Sequence, residues 1–147
     1  MATRADAPFS PAESLSAIVQ EEIRACRSIL AATEAFEAAL DPVDFGSLEA
    51  AVAARGHGMS RLEELEARAL GLRGQAFAPP ADLAEGLTLL RDLTARIREA
   101  DARAREATQG AAHALRHGLR VVSHGQQVLR GYRAPADARP RFADKKG

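Results

Sequence analysis

The chain is poor in large aromatic side chains, which often fill a compact hydrophobic core. Its 147 residues include no tryptophan, one tyrosine (Tyr132) and five phenylalanines. Runs of β-branched and aromatic residues, which favour strands, are also missing from the sequence. Alanine, the residue with the highest helix propensity, is the commonest one. These features together predict an all-α fold.

Cysteine and long apolar runs are scarce as well. The single cysteine, Cys26, excludes an internal disulfide, and its place on an apolar helical face predicts a buried thiol. The first residues lack the apolar core of a secretory signal, and no run approaches the roughly 18 apolar residues of a membrane span. We therefore expect a cytoplasmic protein without membrane insertion.

Residue patterns that carry chemistry are missing too. No glycine-flanked nucleophile follows a strand, and no phosphate-binding loop occurs. We therefore expect no catalytic residue, no cofactor and no enzymatic activity. In the basic C-terminal region only Tyr132 and Phe142 could stack on bases, so nucleic-acid binding is not expected either.

Three histidines, His113, His117 and His124, fall on one side of the third predicted helix. The first two have the i, i+4 spacing that can hold a zinc ion. However, no acidic residue or cysteine lies nearby to complete the ligand set, and His124 is about 16 Å along the helix axis from His113. The three side chains also lie opposite the apolar stripe, so we predict a solvated polar face and no metal site.

The zero net charge hides an asymmetry between the two halves of the chain. Residues 1–70 carry 12 acidic and six basic residues, whereas residues 71–147 carry eight acidic and 14 basic residues. Opposite charges suit antiparallel packing of one half on the other. A basic end that meets an acidic partner is the alternative, and the sequence leaves both interpretations open.

Three helices are predicted, at about 10–40, 44–70 and 82–132. A capping box with Pro11 at the first helical position opens helix 1, and Asp41-Pro42 ends it. Helix 2 contains two central glycines, Gly56 and Gly58, where we expect a soft or kinked point. Its predicted apolar stripe consists of Phe45, Leu48, Val52, Met59, Leu62, Leu65 and Ala69.

Helix 3 has no proline from 82 to 132 and would be roughly 75 Å long. Helices 1 and 2 span only about 45 and 40 Å, so they cannot cover the whole apolar stripe of helix 3. We expect its middle, at 100–114, to have little to bury. The apolar residues near its end are the predicted partner-binding residues: Leu115, Leu119, Val122 and Leu129.

These elements predict an elongated antiparallel three-helix bundle or coiled coil with a very long C-terminal helix. Residues 10–132 would form a single helical domain, preceded by a flexible N-terminus at 1–9. The segment 133–147 carries two prolines and little to bury, so we expect a disordered tail. Phe142 and Asp144 near its end have the spacing of a short linear motif.

The chain resembles the flagellar export chaperones of the FlgN/FliT type. The likeness rests on three segments: Asp44–Leu48 followed by Val52, Arg55 and Met59; Gln126–Tyr132 at the end of the long helix; and the ending Arg141–Gly147. The glycines around His57 and the few large apolar residues in the middle of helix 3 depart from the family pattern.

The resemblance implies a cytoplasmic chaperone that binds terminal helices of hook–filament junction subunits and delivers them to the type III export gate. It implies that helix-in-groove recognition takes place along helix 3, and it makes Tyr132 the candidate gate contact. Two alternatives remain, a structural coiled-coil homodimer and an amphipathic membrane-surface or coat protein. We expect a monomer or a weak homodimer.

Overall fold

A computed structural model describes residues 11–73 and 79–132 of the chain. The predicted flexible N-terminus at 1–9, the predicted disordered tail at 133–147 and the predicted motif at Phe142 and Asp144 lie outside these residues.

The described residues form three α-helices and no strand, which confirms the all-α three-helix fold. Helix α1 is Pro11–Ala38, α2 is Phe45–Arg73 and α3 is Ala81–Tyr132. Each helix begins and ends within three residues of its predicted bounds. Helix α3 runs without interruption through its alanine-rich middle.

A tight turn joins α1 to α2. The N–H of Asp44 donates to the carbonyl of Ala39 at 2.9 Å, which closes the turn. Asp44 then caps α2, because its carboxylate accepts the Ser47 N–H at 3.2 Å and the Ser47 hydroxyl at 2.7 Å. These hydrogen bonds from Ser47 hold the pKa of Asp44 below its ordinary value.

Helix α1 is the central helix of the core, since it is buried along two faces. One face packs Ile18 against Leu65 and Ala69 of α2. The other face brings α1 to α3 in a cluster of buried residues: Val19, Ile23, Cys26, Leu30, Leu83, Leu93 and Ala100. Cys26 is buried as predicted, and its burial raises the pKa of the thiol.

Helices α1 and α2 are antiparallel, and a glycine allows them to approach closely. A Cβ atom at Gly58 would lie 2.6 Å from Cγ1 of Ile29, which is itself only 1% exposed. Helix α2 is uninterrupted at the glycines where a soft or kinked point is expected, and Gly58 lies at its contact with α1.

The predicted apolar stripe of α2 is only partly correct. Leu65 and Ala69 are buried, but Phe45, Val52 and Met59 are exposed. The inward face instead follows a strict three-four spacing along the helix, occupied by Leu48, Ala51, Arg55, Gly58, Leu62, Leu65, Ala69 and Leu72. Small and charged residues occupy several of these positions. The stripe predicted from the larger apolar residues is therefore rotated away from the core.

Helix α3 contributes to two compact units, which divide after Gln109. In the first unit its buried residues are Leu83, Gly86, Leu93, Ala100 and Ala104. A Cβ atom at Gly86 would lie 2.7 Å from Cγ1 of Val19, so this glycine also receives an α1 side chain. In the middle of the helix, where little burial is expected, Ala100 and Ala104 are buried and most of the other residues are exposed.

Candidate partner-binding surface

The second unit is described from Gly110 to Tyr132, the last part of α3. All four predicted partner-binding residues are exposed there: Leu115 by 52%, Leu119 by 69%, Val122 by 59% and Leu129 by 68%. At about 100° per residue they fall within an arc of roughly 80°. The structure therefore brings these side chains together on one side of the helix, without burying them.

Two further valines widen this surface. Val121 is 59% exposed and Val128 is 44% exposed, and sequence reasoning missed both because they lie outside the leucine stripe. Gly118 and Gly125 lie between the leucine edge and the valine edge. Nothing approaches within 4 Å of a Cβ atom built at either glycine. We call the whole surface the C-terminal apolar face: Leu115, Gly118, Leu119, Val121, Val122, Gly125, Val128 and Leu129.

Tyr132, the predicted gate contact, ends the described part of α3 and is 84% exposed. A shallow depression of about 370 Å³ lies beside it, lined by Gln126, Leu129, Arg130 and Tyr132. The phenol ring is therefore accessible from solvent and lies next to the Leu129 end of the C-terminal apolar face.

The opposite side of this helical segment is polar and carries no acidic residue. It includes His113, His117 and His124, all exposed, together with Arg116 and Arg120. The Nε of Arg116 donates to the backbone carbonyl of Ala112 at 3.3 Å. Within residues 11–73 and 79–132, no group of three histidine, cysteine or carboxylate side chains is arranged to hold a metal ion.

The first unit contains a second surface feature, an open groove of about 650 Å³ between the helices. Its apolar wall includes Phe36, Val52 and Met59, and its polar rim includes Arg55 and Asp101. One terminal nitrogen of Arg55 lies 3.0 Å from both carboxylate oxygens of Asp101. Sequence reasoning missed this groove, because it depends on contacts between residues far apart along the chain.

The Arg55 side chain also reaches a buried hydroxyl. Its Nε donates to Oγ1 of Thr33 at 3.2 Å, and that hydroxyl donates to the carbonyl of Ile29 at 2.9 Å. Arg55 therefore links all three helices of the first unit. Hydrogen bonds on two sides of the guanidinium group hold it in a structural position at the rim of the groove, so the predicted family motif residue has a packing role here.

Comparison with protein-family models, with curated proteins and with solved structures finds no match to this chain. Within the described helices, no segment is both long enough and apolar enough to cross a membrane.

Proposed function

We propose that this protein is an export chaperone that binds an amphipathic helix of a client protein along the C-terminal apolar face. The observation that supports this most is the joint exposure of six large apolar side chains between 115 and 129. Isolated exposed apolar residues are ordinary, whereas a contiguous row of them on one helix face is typical of a surface that binds another chain.

The expected energetics suit reversible capture. Burying one leucine or valine side chain contributes about 1.5–3 kcal/mol, so four such residues contribute on the order of 6–12 kcal/mol. Association of two chains costs an estimated 4–15 kcal/mol, which offsets much of this gain. The gain and the cost are of the same order, which suits a carrier that must release its client.

The flagellar assignment comes from the resemblance to chaperones of the FlgN/FliT type. The clients would then be subunits of the hook–filament junction, bound through their terminal helices, and the destination would be the export gate. Tyr132 is the proposed gate contact. Its exposure at the end of α3 leaves the ring accessible to a second protein while a client lies on the leucines.

The test is binding of purified chaperone to purified junction subunits, measured by calorimetry for the wild type and two variants. Leu119→Asp places a charge on the C-terminal apolar face and should weaken client binding at least tenfold. Leu70→Asp places the same charge on an exposed leucine of α2, outside that face, and should leave the affinity within threefold. Both positions are exposed, so both variants should melt within a few degrees of the wild type.

A buried residue provides the stability control. Leu65 is fully buried, so Leu65→Ala should lower the free energy of unfolding by about 2–5 kcal/mol. If Leu119→Asp destabilises the protein as strongly as Leu65→Ala, Leu119 belongs to a core or a homodimer interface. If Leu119→Asp leaves client binding unchanged, the C-terminal apolar face does not hold the client.

A further inference from the structure

The polar margins of the C-terminal apolar face contain basic side chains and no acidic ones. Between Ala107 and Tyr132 the chain has three arginines, three histidines and no aspartate or glutamate. At about 100° per residue, Arg116 and Arg130 border the Leu119 edge of the face. His117 and His124 border the Val128 edge, so neither margin contains an acidic group.

The arginines of this segment are not neutralised within the described part of the chain. Its ion pairs all lie in the first unit: Arg55–Asp101, Arg61–Glu21, Arg61–Glu64 and Arg103–Glu37. Arg116 uses its Nε for a backbone carbonyl, which leaves its two terminal nitrogens. An occupant with carboxylates along its flanks could therefore form charge-assisted hydrogen bonds with this segment.

We infer that the C-terminal apolar face binds an amphipathic helix whose polar flanks are acidic. This inference rests on the proposed helix-binding function and names the chemistry of its partner. A second copy of the chain is a poorer occupant, because its own segment would place arginines against Arg116 and Arg130. Like charges across an interface oppose association.

Glycines show how such a helix would pack. In the first unit, Gly58 and Gly86 each lie where a β-branched side chain of α1 contacts the neighbouring helix, with Cβ positions only 2.6 and 2.7 Å from Ile29 and Val19. Gly118 and Gly125 lie in the middle of the C-terminal apolar face, and their Cβ positions have no neighbour within 4 Å. They leave room for large apolar side chains of the bound helix.

The test uses two synthetic helical peptides of about 25 residues with the same leucine and isoleucine stripe. One has glutamate at the flanking positions and the other has lysine. Fluorescence anisotropy at 50 mM NaCl should show that the glutamate peptide binds at least tenfold tighter. Its advantage should shrink in 500 mM NaCl, because salt screens exposed charges.

Charge variants locate the effect on the chain. The double variant Arg116→Gln/Arg130→Gln should lose most of the preference for the glutamate peptide, while Arg91→Gln, an exposed arginine of the first unit, should keep it. Gly125→Leu should weaken binding of the glutamate peptide at least fivefold. Gly131→Leu, on the polar side of the helix, should not weaken binding. Neither glycine has a neighbour that a new side chain would displace, so both variants should fold.

Each other outcome has a defined meaning. Equal affinity for the two peptides would overturn the acidic-partner inference and leave helix binding intact. Failure of both peptides to bind would count against the inference and the proposed function together. Stronger binding to vesicles of anionic lipid than to the glutamate peptide would overturn the inference in favour of a membrane surface. A dimer that Leu119→Asp dissociates would overturn it in favour of self-association.

Discussion

Two glycines on α2 allow a matched test of how α1 and α2 pack. Gly56 and Gly58 lie two residues apart in the same helix, so alanine should have a similar intrinsic effect at both positions. Their surroundings differ sharply. A Cβ atom at Gly56 has no neighbour within 4 Å, whereas one at Gly58 would lie 2.6 Å from Cγ1 of Ile29.

The expected magnitudes follow from two opposing effects. Replacing glycine by alanine in a helix interior stabilises the helix by about 1 kcal/mol. Forcing an extra methyl group into a packed core costs about 1–3 kcal/mol, and Ile29 is β-branched and 1% exposed, so it has little freedom to move. Gly56→Ala should therefore raise the free energy of unfolding by about 1 kcal/mol. Gly58→Ala should leave it unchanged or lower it by up to about 2 kcal/mol.

Urea denaturation followed by far-UV circular dichroism measures both variants against the wild type. A third comparison, Gly58→Ala in an Ile29→Ala background, isolates the contact, because removing the isoleucine should restore the stabilising effect of alanine. If Gly56→Ala and Gly58→Ala stabilise the protein equally in the wild-type background, α1 does not contact α2 at Gly58. The close antiparallel packing described above would then be refuted.

Two further predictions concern the proposed gate contact and the cap of α2. Tyr132→Ala should keep client affinity within about threefold, roughly 0.6 kcal/mol, yet abolish binding to the export gate; a tenfold loss of client affinity in calorimetry would place the ring on the client side. The pKa of Asp44 is lowered in the folded state, so its carboxylate stabilises the fold above the unfolded pKa of about 4 and this contribution is lost as the pH falls further. Asp44→Asn provides a cap that does not titrate. The difference in melting temperature between the wild type and this variant should therefore be constant from pH 7 to 5 and shrink below about pH 4. A constant difference down to pH 2 would contradict this.

The helix bounds could be predicted because they depend on local chemistry. Asp41-Pro42 excludes helical backbone before the proline, and the structure ends α1 at Ala38. Asp82 marks the start of the third helix in the sequence, and α3 begins at Ala81. Capping residues and prolines act within one or two residues of their own position, so the sequence reports them directly.

The inward face of α2 could not be predicted in the same way. Sequence reasoning ranked residues by apolar bulk and therefore included Val52 and Met59, which are exposed. Close packing of two helices instead selects small residues, so Ala51 and Gly58 face α1 while larger neighbours point outward. Arg55 joins that face because Thr33 and Asp101, distant in sequence, accept its hydrogen bonds. Which residues of α2 face inward therefore depends on the helix against which they pack. The periodicity of the α2 sequence alone does not reveal this.

The glycines of α3 connect the stability of the free chain to its proposed function. Gly86 receives Val19, so the loss of helix propensity there is offset by close packing within the first unit. Gly118 and Gly125 each cost about 1 kcal/mol relative to alanine, and no neighbour within 4 Å of their Cβ positions offsets that cost in the free chain. Close approach of a bound helix would offset it, and the leucine and valine edges on either side would then be buried together. The same reasoning predicts that Gly118→Ala stabilises the free protein and weakens its complex with the client. Gly110→Ala is the control, because the Cβ position of Gly110 is also open. It should stabilise the free protein too, but with a smaller effect on binding. Opposite signs for stability and affinity at one position, measured by urea denaturation and calorimetry, would distinguish a binding surface from a helix that is merely poorly packed.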